Sequence, residues 1–192
     1  MEKYTDAQLI ELYMEGNFKA LDGIIYRYSQ PIFRFVFHTI NNTEETNDIV
    51  QETFIKVWKN IRKFDQKKSF RTWLFTIAQR TMIDFLRKRR NVNFSESNRD
   101  NSEIPFEETI PDEELIASEI LEKTEDIELV KTALSQISIE NRSIILLHNG
   151  EEMTFKEISE IFNKPINTIK SQYRRSLISV KNYIINVNAP KS

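Results

Sequence analysis

No cysteine occurs among the 192 residues. That removes disulfides, thiolate metal sites and thiol catalysis together, and it fits a reducing compartment. Only three glycines and five prolines are present, too little turn material for a sheet-rich fold. No apolar run approaches the roughly 18 residues a membrane span needs. The first residues, Met1 to Asp6, are polar, so neither a signal peptide nor membrane insertion of its own is expected, and a cytoplasmic location is. There is no glycine-rich phosphate loop and no activated nucleophile. The two histidines, His38 and His148, have no acidic residue three positions before them, the spacing a di-metal bundle would want. No enzyme activity, metal or cofactor is therefore expected of this chain.

What is present favours helices with real cores. Ile, Leu, Glu, Lys and Gln abound, and 40% of the residues are hydrophobic, 13 of them Phe. The formal net charge of −2 conceals strong segregation. Residues 1–90 carry a net +5, residues 91–128 a net −11, and residues 129–192 a net +4. Two basic blocks around an acidic middle are read as separate parts.

Capping-box spacing at Thr5 and Gln8 starts an amphipathic stretch through Leu9, Leu12, Tyr13, Phe18, Leu21, Ile24 and Ile25. Gly16-Asn17 should divide it into two helices. Pro31 should begin another, and Asn42 to Glu45 a further one, with a cap oxygen followed by carboxylates at the positive end of the dipole. Ile49, Val50, Phe54, Val57, Trp58 and Ile61 then form one apolar face. Ser69 can cap a helix whose stripe is Phe70, Trp73, Leu74, Ile77, Ala78 and Phe85, ending in Arg87–Arg90. Periodicity is lost over residues 91–111, which read as a linker containing Pro105 and Pro111. It returns through Leu115, Ile116, Ile120 and Leu121, then Ile127, Val130, Leu134 and Ile137, and Ser138 opens another helix. The fold class is all-α: two small helical domains, 1–90 and 123–187, joined by a flexible acidic linker, 91–122.

The sharpest local signal lies in residues 154–180. Thr154 and Glu157 form a capping box, and the short helix they start turns Ile158, Ile161 and Phe162 inward. Asn163 stands where a left-handed backbone is wanted. Lys164-Pro165-Ile166 cross the turn, and Asn167 or Thr168 caps a second helix. That helix should bury Ile169, Tyr173, Leu177 and Val180 and expose Lys170, Ser171, Gln172, Arg174 and Arg175. This is a helix-turn-helix pattern whose second helix carries donors suited to phosphates and major-groove base edges.

Asp48 to Trp58, Phe64-Asp65, Ser69 to Leu74, Ile77-Ala78 and Ile83 to Arg90 together resemble conserved region 2 of extracytoplasmic-function (ECF) sigma factors. The helix-turn-helix resembles their region 4, in the right order and at the right separation. The sequence departs from that family at Gln66-Lys67-Lys68, which lack the usual glycine. It departs also at Asn163 and Asn167 (often Gly), Ser138 (often Pro) and Tyr173 (usually Leu).

The resemblance implies a sigma2 and a sigma4 domain, with core RNA polymerase, promoter DNA and an anti-sigma factor as partners. The loop Asp65, Lys67, Lys68, Ser69 and the following helix with Arg71 and Arg80 would read and melt the −10 element, with Arg87 and Lys88 on phosphates. Phe70 and Trp73 have core spacing, so the loop and Arg71 are the stronger readers. Asp48, Gln51, Glu52, Lys56 and Lys59 would meet polymerase, whereas Glu44 and Glu45 are accounted for by the helix dipole. Lys164, Asn167, Thr168, Lys170, Ser171, Arg174 and Arg175 would meet the −35 element, Lys164 on the backbone. Elements about 17 base pairs apart lie roughly 58 Å from each other at about 3.4 Å per pair. Residues 91–111, fully extended, would reach roughly 70 Å. The acidic stretch could also fold back on the basic modules and weaken DNA binding by the chain alone. The rival reading from the same residues is a stand-alone helix-turn-helix repressor or activator, which would bind symmetric sites without polymerase.

Overall fold

The computed structural model describes residues 4–92 and 127–188, and every element among them is helical. The N-terminal module comprises α1 (Asp6–Met14), α2 (Lys19–Ile40), α3 (Thr43–Asn60), a 3-10 turn (Ile61–Lys63) and α4 (Phe70–Val92). The C-terminal module comprises α5 (Ile127–Ser135), α6 (Ile139–Ile145), a π turn (Leu146–Gly150), α7 (Phe155–Phe162) and α8 (Ile166–Asn188).

Local chemistry sets most boundaries. The Thr5 hydroxyl accepts from the Gln8 amide while the Gln8 side chain accepts from the Thr5 amide, so both bonds of the capping box form. Gly16, at φ +100, then separates α1 from α2. Asn41 ends α2 in the left-handed region at φ 54, and Asn42 caps α3 by accepting from the Glu45 amide. Ser69 caps α4 through the Thr72 amide and Ser138 caps α6 through the Asn141 amide.

Pro31 does not start a helix; α2 runs through it without a break. An internal proline forfeits one backbone hydrogen bond and costs about 3 kcal/mol. Here Tyr28, Ile32, Phe35 and Val36 are all buried on either side of it, and each large apolar side chain removed from water returns roughly 1.5–3 kcal/mol. The core on both sides of Pro31 thus holds the two halves in line.

The first core gathers Ile24, Ile32, Phe35, Ile49, Val57, Ile61, Leu74, Phe75, Ala78 and Met82, with the Phe35 and Phe75 rings edge to face at 5.6 Å. α4 buries more than the expected stripe: Phe75, Gln79, Thr81 and Met82 are inside as well. The reason is that α4 is covered twice, by α3 and α2 on one side and by α7 of the other module. The second core gathers Ile144, Leu147, Met153, Ile158, Ile161, Ile169, Tyr173, Leu177, Val180 and Ile184 around α8. Residues 93–126, which hold the expected linker and the pattern Leu115 to Leu121, lie outside the described residues.

Candidate nucleic-acid and polymerase interfaces

The helix-turn-helix forms as its residues dictate. The Thr154 hydroxyl accepts from the Glu157 amide, and Glu157 Oε2 accepts from both the amide (2.9 Å) and the hydroxyl (2.8 Å) of Thr154. Asn163 takes the left-handed turn at φ 51. α8 begins at Ile166, so neither Asn167 nor Thr168 is its cap; both sit in its first turn. Pro165 is the reason: its fixed φ suits a helix start, and its carbonyl receives the Ile169 amide.

Ile169, Tyr173, Leu177 and Val180 are buried, as their spacing requires. Tyr173, in a position where leucine would serve a plain apolar contact, does more. Its ring meets the edges of His148 and Phe155 at 4.9 and 5.2 Å, and its hydroxyl donates to Asn149 Oδ1 at 2.8 Å. His148 stacks on Phe155 at 4.2 Å, and its Nδ1 donates to the Met153 carbonyl. This cluster fixes the angle of α8 against α7.

Asn167, Thr168, Lys170, Ser171 and Arg175 are exposed on the outer side of α8, whereas Arg174 is half-buried. Lys164 and Gln172 are not open either. Both reach Glu140 of α6, Gln172 at 2.6 Å, so one carboxylate ties the turn to the recognition helix.

In the N-terminal module, Asp65, Lys67, Lys68 and Ser69 form an exposed loop. Asp65 accepts from the Lys67 amide through its side chain and from the Lys68 amide through its carbonyl, giving the loop one shape without glycine. Behind it Phe64, Phe70 and Trp73 pack ring to ring at 5.0–5.5 Å, Phe64 and Phe70 buried and Trp73 half-buried. A groove of about 380 Å³ opens beside them, lined by Lys56, Asn60, Lys63, Trp73, Arg80 and Asp84 among others. Arg80 and Lys88 are exposed; Arg87 is exposed and pairs with Asp84 at 3.1 Å. Arg89 pairs with Glu45, which thus has a partner beyond the helix dipole.

On α3, Asp48, Gln51, Glu52 and Lys59 are exposed, and Lys56 is half-buried with its Nζ on Thr81 Oγ1 at 3.1 Å. Trp58, placed on the apolar face by spacing alone, is instead 55% exposed. Thr46 and Thr53 take the interior positions, their hydroxyls satisfied by carbonyls four residues back, and Trp58 turns outward one heptad from Gln51. It is a binding candidate the sequence reading missed. The signal was available: an aromatic at the margin of an apolar stripe belongs to either face.

Arg71 does not stand open beside the loop. It donates to the Glu151 carbonyl in the C-terminal module, lies 3.9 Å from the Glu151 carboxylate, and rests over the Phe75 ring. Arg34 of α2 approaches the same carboxylate at 3.3 Å. Glu151 is only 7% exposed, and burial pushes its carboxyl above the usual range against the pull of Arg34 and Arg71. Arg142 makes the other polar tie. It donates to the Thr39 carbonyl of α2 and to the Leu134 and Ile137 carbonyls around the end of α5, and burial lowers its affinity for its proton. Among the described residues no group of three or more His, Asp and Glu is placed to hold a metal ion, and no helix is long and apolar enough to cross a membrane.

Comparison with known proteins agrees with this architecture. The Sigma-70 region 2 family profile matches residues 24–92 and the Sigma-70 region 4 profile matches residues 127–179, together more than half of the chain. The chain is 27% identical over 168 residues to the ECF RNA polymerase sigma factor SigW of Bacillus subtilis, covering 84% of this chain and 87% of that one. It is 26% identical over 190 residues to the ECF RNA polymerase sigma-E factor of Haemophilus influenzae, covering 95% and 97%. In fold it is similar to the sigma factor RpoE of Bartonella quintana, solved with the anti-sigma factor NepR, at a TM-score of 0.67 and 20% identity over 88% of this chain and 99% of that one. It is similar also to CnrH, solved with the cytosolic domain of CnrY, at a TM-score of 0.67 and 18% identity over 96% and 99%. The chain belongs to the extracytoplasmic-function (ECF) sigma factors of the sigma-70 superfamily.

Proposed function

We propose that this sigma factor binds core RNA polymerase and directs it to promoters by reading two elements, −35 through α8 and −10 through the 65–71 segment and α4, and that it helps to melt the −10 region. The observation that carries the reading is the face of α8. Asn167, Thr168, Lys170, Ser171 and Arg175 project from one exposed side of a helix whose opposite side is locked into a core. A helix held in that way can enter a major groove with its N-terminal residues on base edges.

The −10 role rests on the exposed loop Asp65, Lys67, Lys68 and Ser69 beside an aromatic cluster and a basic groove. Cations can track a single strand there while rings and a concave wall accept unstacked bases. Arg80, Arg87 and Lys88 extend the positive track along α4. The polymerase contact is assigned to Asp48, Gln51, Glu52, Lys56 and Lys59, to which Trp58 is added. An anti-sigma factor is a further proposed partner, since RpoE was solved with the anti-sigma factor NepR and CnrH with the cytosolic domain of CnrY. The domain assignment 1–90, 91–122 and 123–187 belongs to the same proposal.

Run-off transcription on genomic DNA of the source organism, with its purified core polymerase, tests the reading. New start sites sharing a two-part upstream motif when the chain is added are the expected result. Absence of new starts, with tight binding of the chain alone to symmetric DNA, would replace it with the stand-alone regulator.

A further inference from the structure

A carboxylate stands among the donors of the helix-turn-helix. Glu140 lies in the first turn of α6, a helix capped by Ser138 and rooted in the second core by Ile144 and Ile145. Arg142 donates to the Leu134 and Ile137 carbonyls, so the start of α6 is also fixed to the end of α5. From this rigid mount Glu140 Oε1 accepts from Lys164 Nζ in the turn and from Gln172 Nε2 on α8, the latter at 2.6 Å. Asn141 Oδ1 approaches the same Nε2 at 3.5 Å. An ionised carboxylate only accepts, so it obliges the Gln172 amide to point its NH2 toward α6. The consequence is that Gln172 Oε1 is buried without a hydrogen-bond partner.

Gln172 follows Thr168 by one helical turn, at the edge of the exposed face that carries Thr168, Ser171 and Arg175. The Lys164 and Glu140 side chains are 33% and 37% exposed. A carboxylate at the edge of a face that meets a polyanion opposes binding unless a cation neutralises it. A free lysine at the same edge would take a phosphate of any sequence. Paired, the two cancel.

We propose that Glu140 is a positioning residue for −35 readout. It holds Lys164 and Gln172 against α6, so that neither adds sequence-blind affinity and contact is left to Thr168, Lys170, Ser171 and Arg175. This reassigns Lys164, which the family resemblance puts on the DNA backbone. The inference rests on the reading of α8 as the −35 helix and deepens it.

The test compares full-length parent, Glu140→Gln, Lys164→Gln and the double variant. Each is titrated by fluorescence anisotropy with a random-sequence duplex and with a mapped −35 duplex over a range of salt. The slope of log affinity against log salt counts neutralised phosphates at roughly 0.9 per contact. Lys164→Gln should leave the parent slope unchanged. Glu140→Gln should bind both duplexes several-fold more tightly and steepen the slope by about one. Adding Lys164→Gln to it should remove both gains. A parent slope that falls by about one with Lys164→Gln alone would put Lys164 on phosphate already and overturn the inference. So would a gain from Glu140→Gln that survives in the double variant, because it would then come from bare charge.

The Lys164→Gln slope needs no change in α6, so the inference can still fail if Glu140→Gln does not fold. Side-chain amide resonances of Gln172 give a readout without DNA. In the parent they should lie apart from the free-amide position and move in Glu140→Gln; at the free position they would overturn the pairing. A parent that does not distinguish the two duplexes counts against the −35 reading, while the coupling of Glu140 to Lys164 is read on the random duplex alone.

Discussion

The two faces assigned to DNA differ in how they are presented. On α8 Asn167, Thr168, Ser171 and Arg175 are exposed and Lys170 lies over the Phe155 ring, while the opposite side of that helix is fixed by Ile169, Tyr173 and Leu177. On α4 the loop donors Lys67 and Lys68 stand clear, but Arg71 is engaged across the junction by Glu151. One proposed surface keeps most of its donors in solvent, and the other is partly engaged by the second module. The difference follows from packing: the outer side of α8 is exposed, whereas the start of α4, with Arg71, lies against the turn before α7.

The largest effect should come from removing the more open surface. Lys170→Ala with Arg175→Ala should lower affinity for a −35 duplex by at least tenfold, since each good base contact is worth about 1–3 kcal/mol and each phosphate contact adds a salt-dependent share. Fluorescence anisotropy on matched and mismatched duplexes checks it, and equal curves for variant and parent would remove α8 from the interface. Trp58→Ala should come next. Loss of an exposed aromatic anchor should cost roughly 2 kcal/mol in affinity for core polymerase. With Trp58 mostly in solvent, the thermal midpoint should hardly move, so a large stability loss would return Trp58 to the core.

Thr154→Ala should cost about 1 kcal/mol by breaking the capping box of α7, lowering the melting midpoint of the chain in differential scanning calorimetry. The smallest effect concerns His38 of α2. Its proton affinity is lowered by burial first, then by Lys131 of the other module and by Arg34. A histidine held neutral in the native chain takes up its proton more readily once unfolded. Stability is therefore full above the unfolded value of about 6.5 and declines as pH falls through it toward the lowered native value. The midpoint should drop between pH 7.5 and 5.5 more in the parent than in His38→Gln; parallel curves would exclude His38 as the source.

Much of this was legible in the sequence because it is local. Thr5 with Gln8, Thr154 with Glu157, and Asn163 at the turn are signals whose partners lie three or four residues away, and each formed as read. The misreadings have one cause. Pro31, Trp58 and Asn167 were assigned by local propensity, and tertiary packing or a neighbouring proline overruled it. The two profile matches agree with the sequence resemblance in both regions, from Ile24 to Val92 and from Ile127 to Ser179. Glu151 was illegible. Its partners are 80 and 117 positions away, and nothing in Gly150-Glu151-Glu152-Met153 distinguishes a residue paired with the other module from an ordinary polar turn.

Permanganate probing of a promoter mapped by run-off transcription tests the division of labour most directly, because it reports unpaired thymines in the polymerase complex. Reactive thymines in the downstream element are expected only when the chain is present. Lys67→Ala with Lys68→Ala should reduce that reactivity in complexes that remain bound, whereas Lys170→Ala with Arg175→Ala should reduce the number of complexes and leave the reactivity of each unchanged. Identical effects from the two variants, or reactivity that does not depend on the chain, would contradict it.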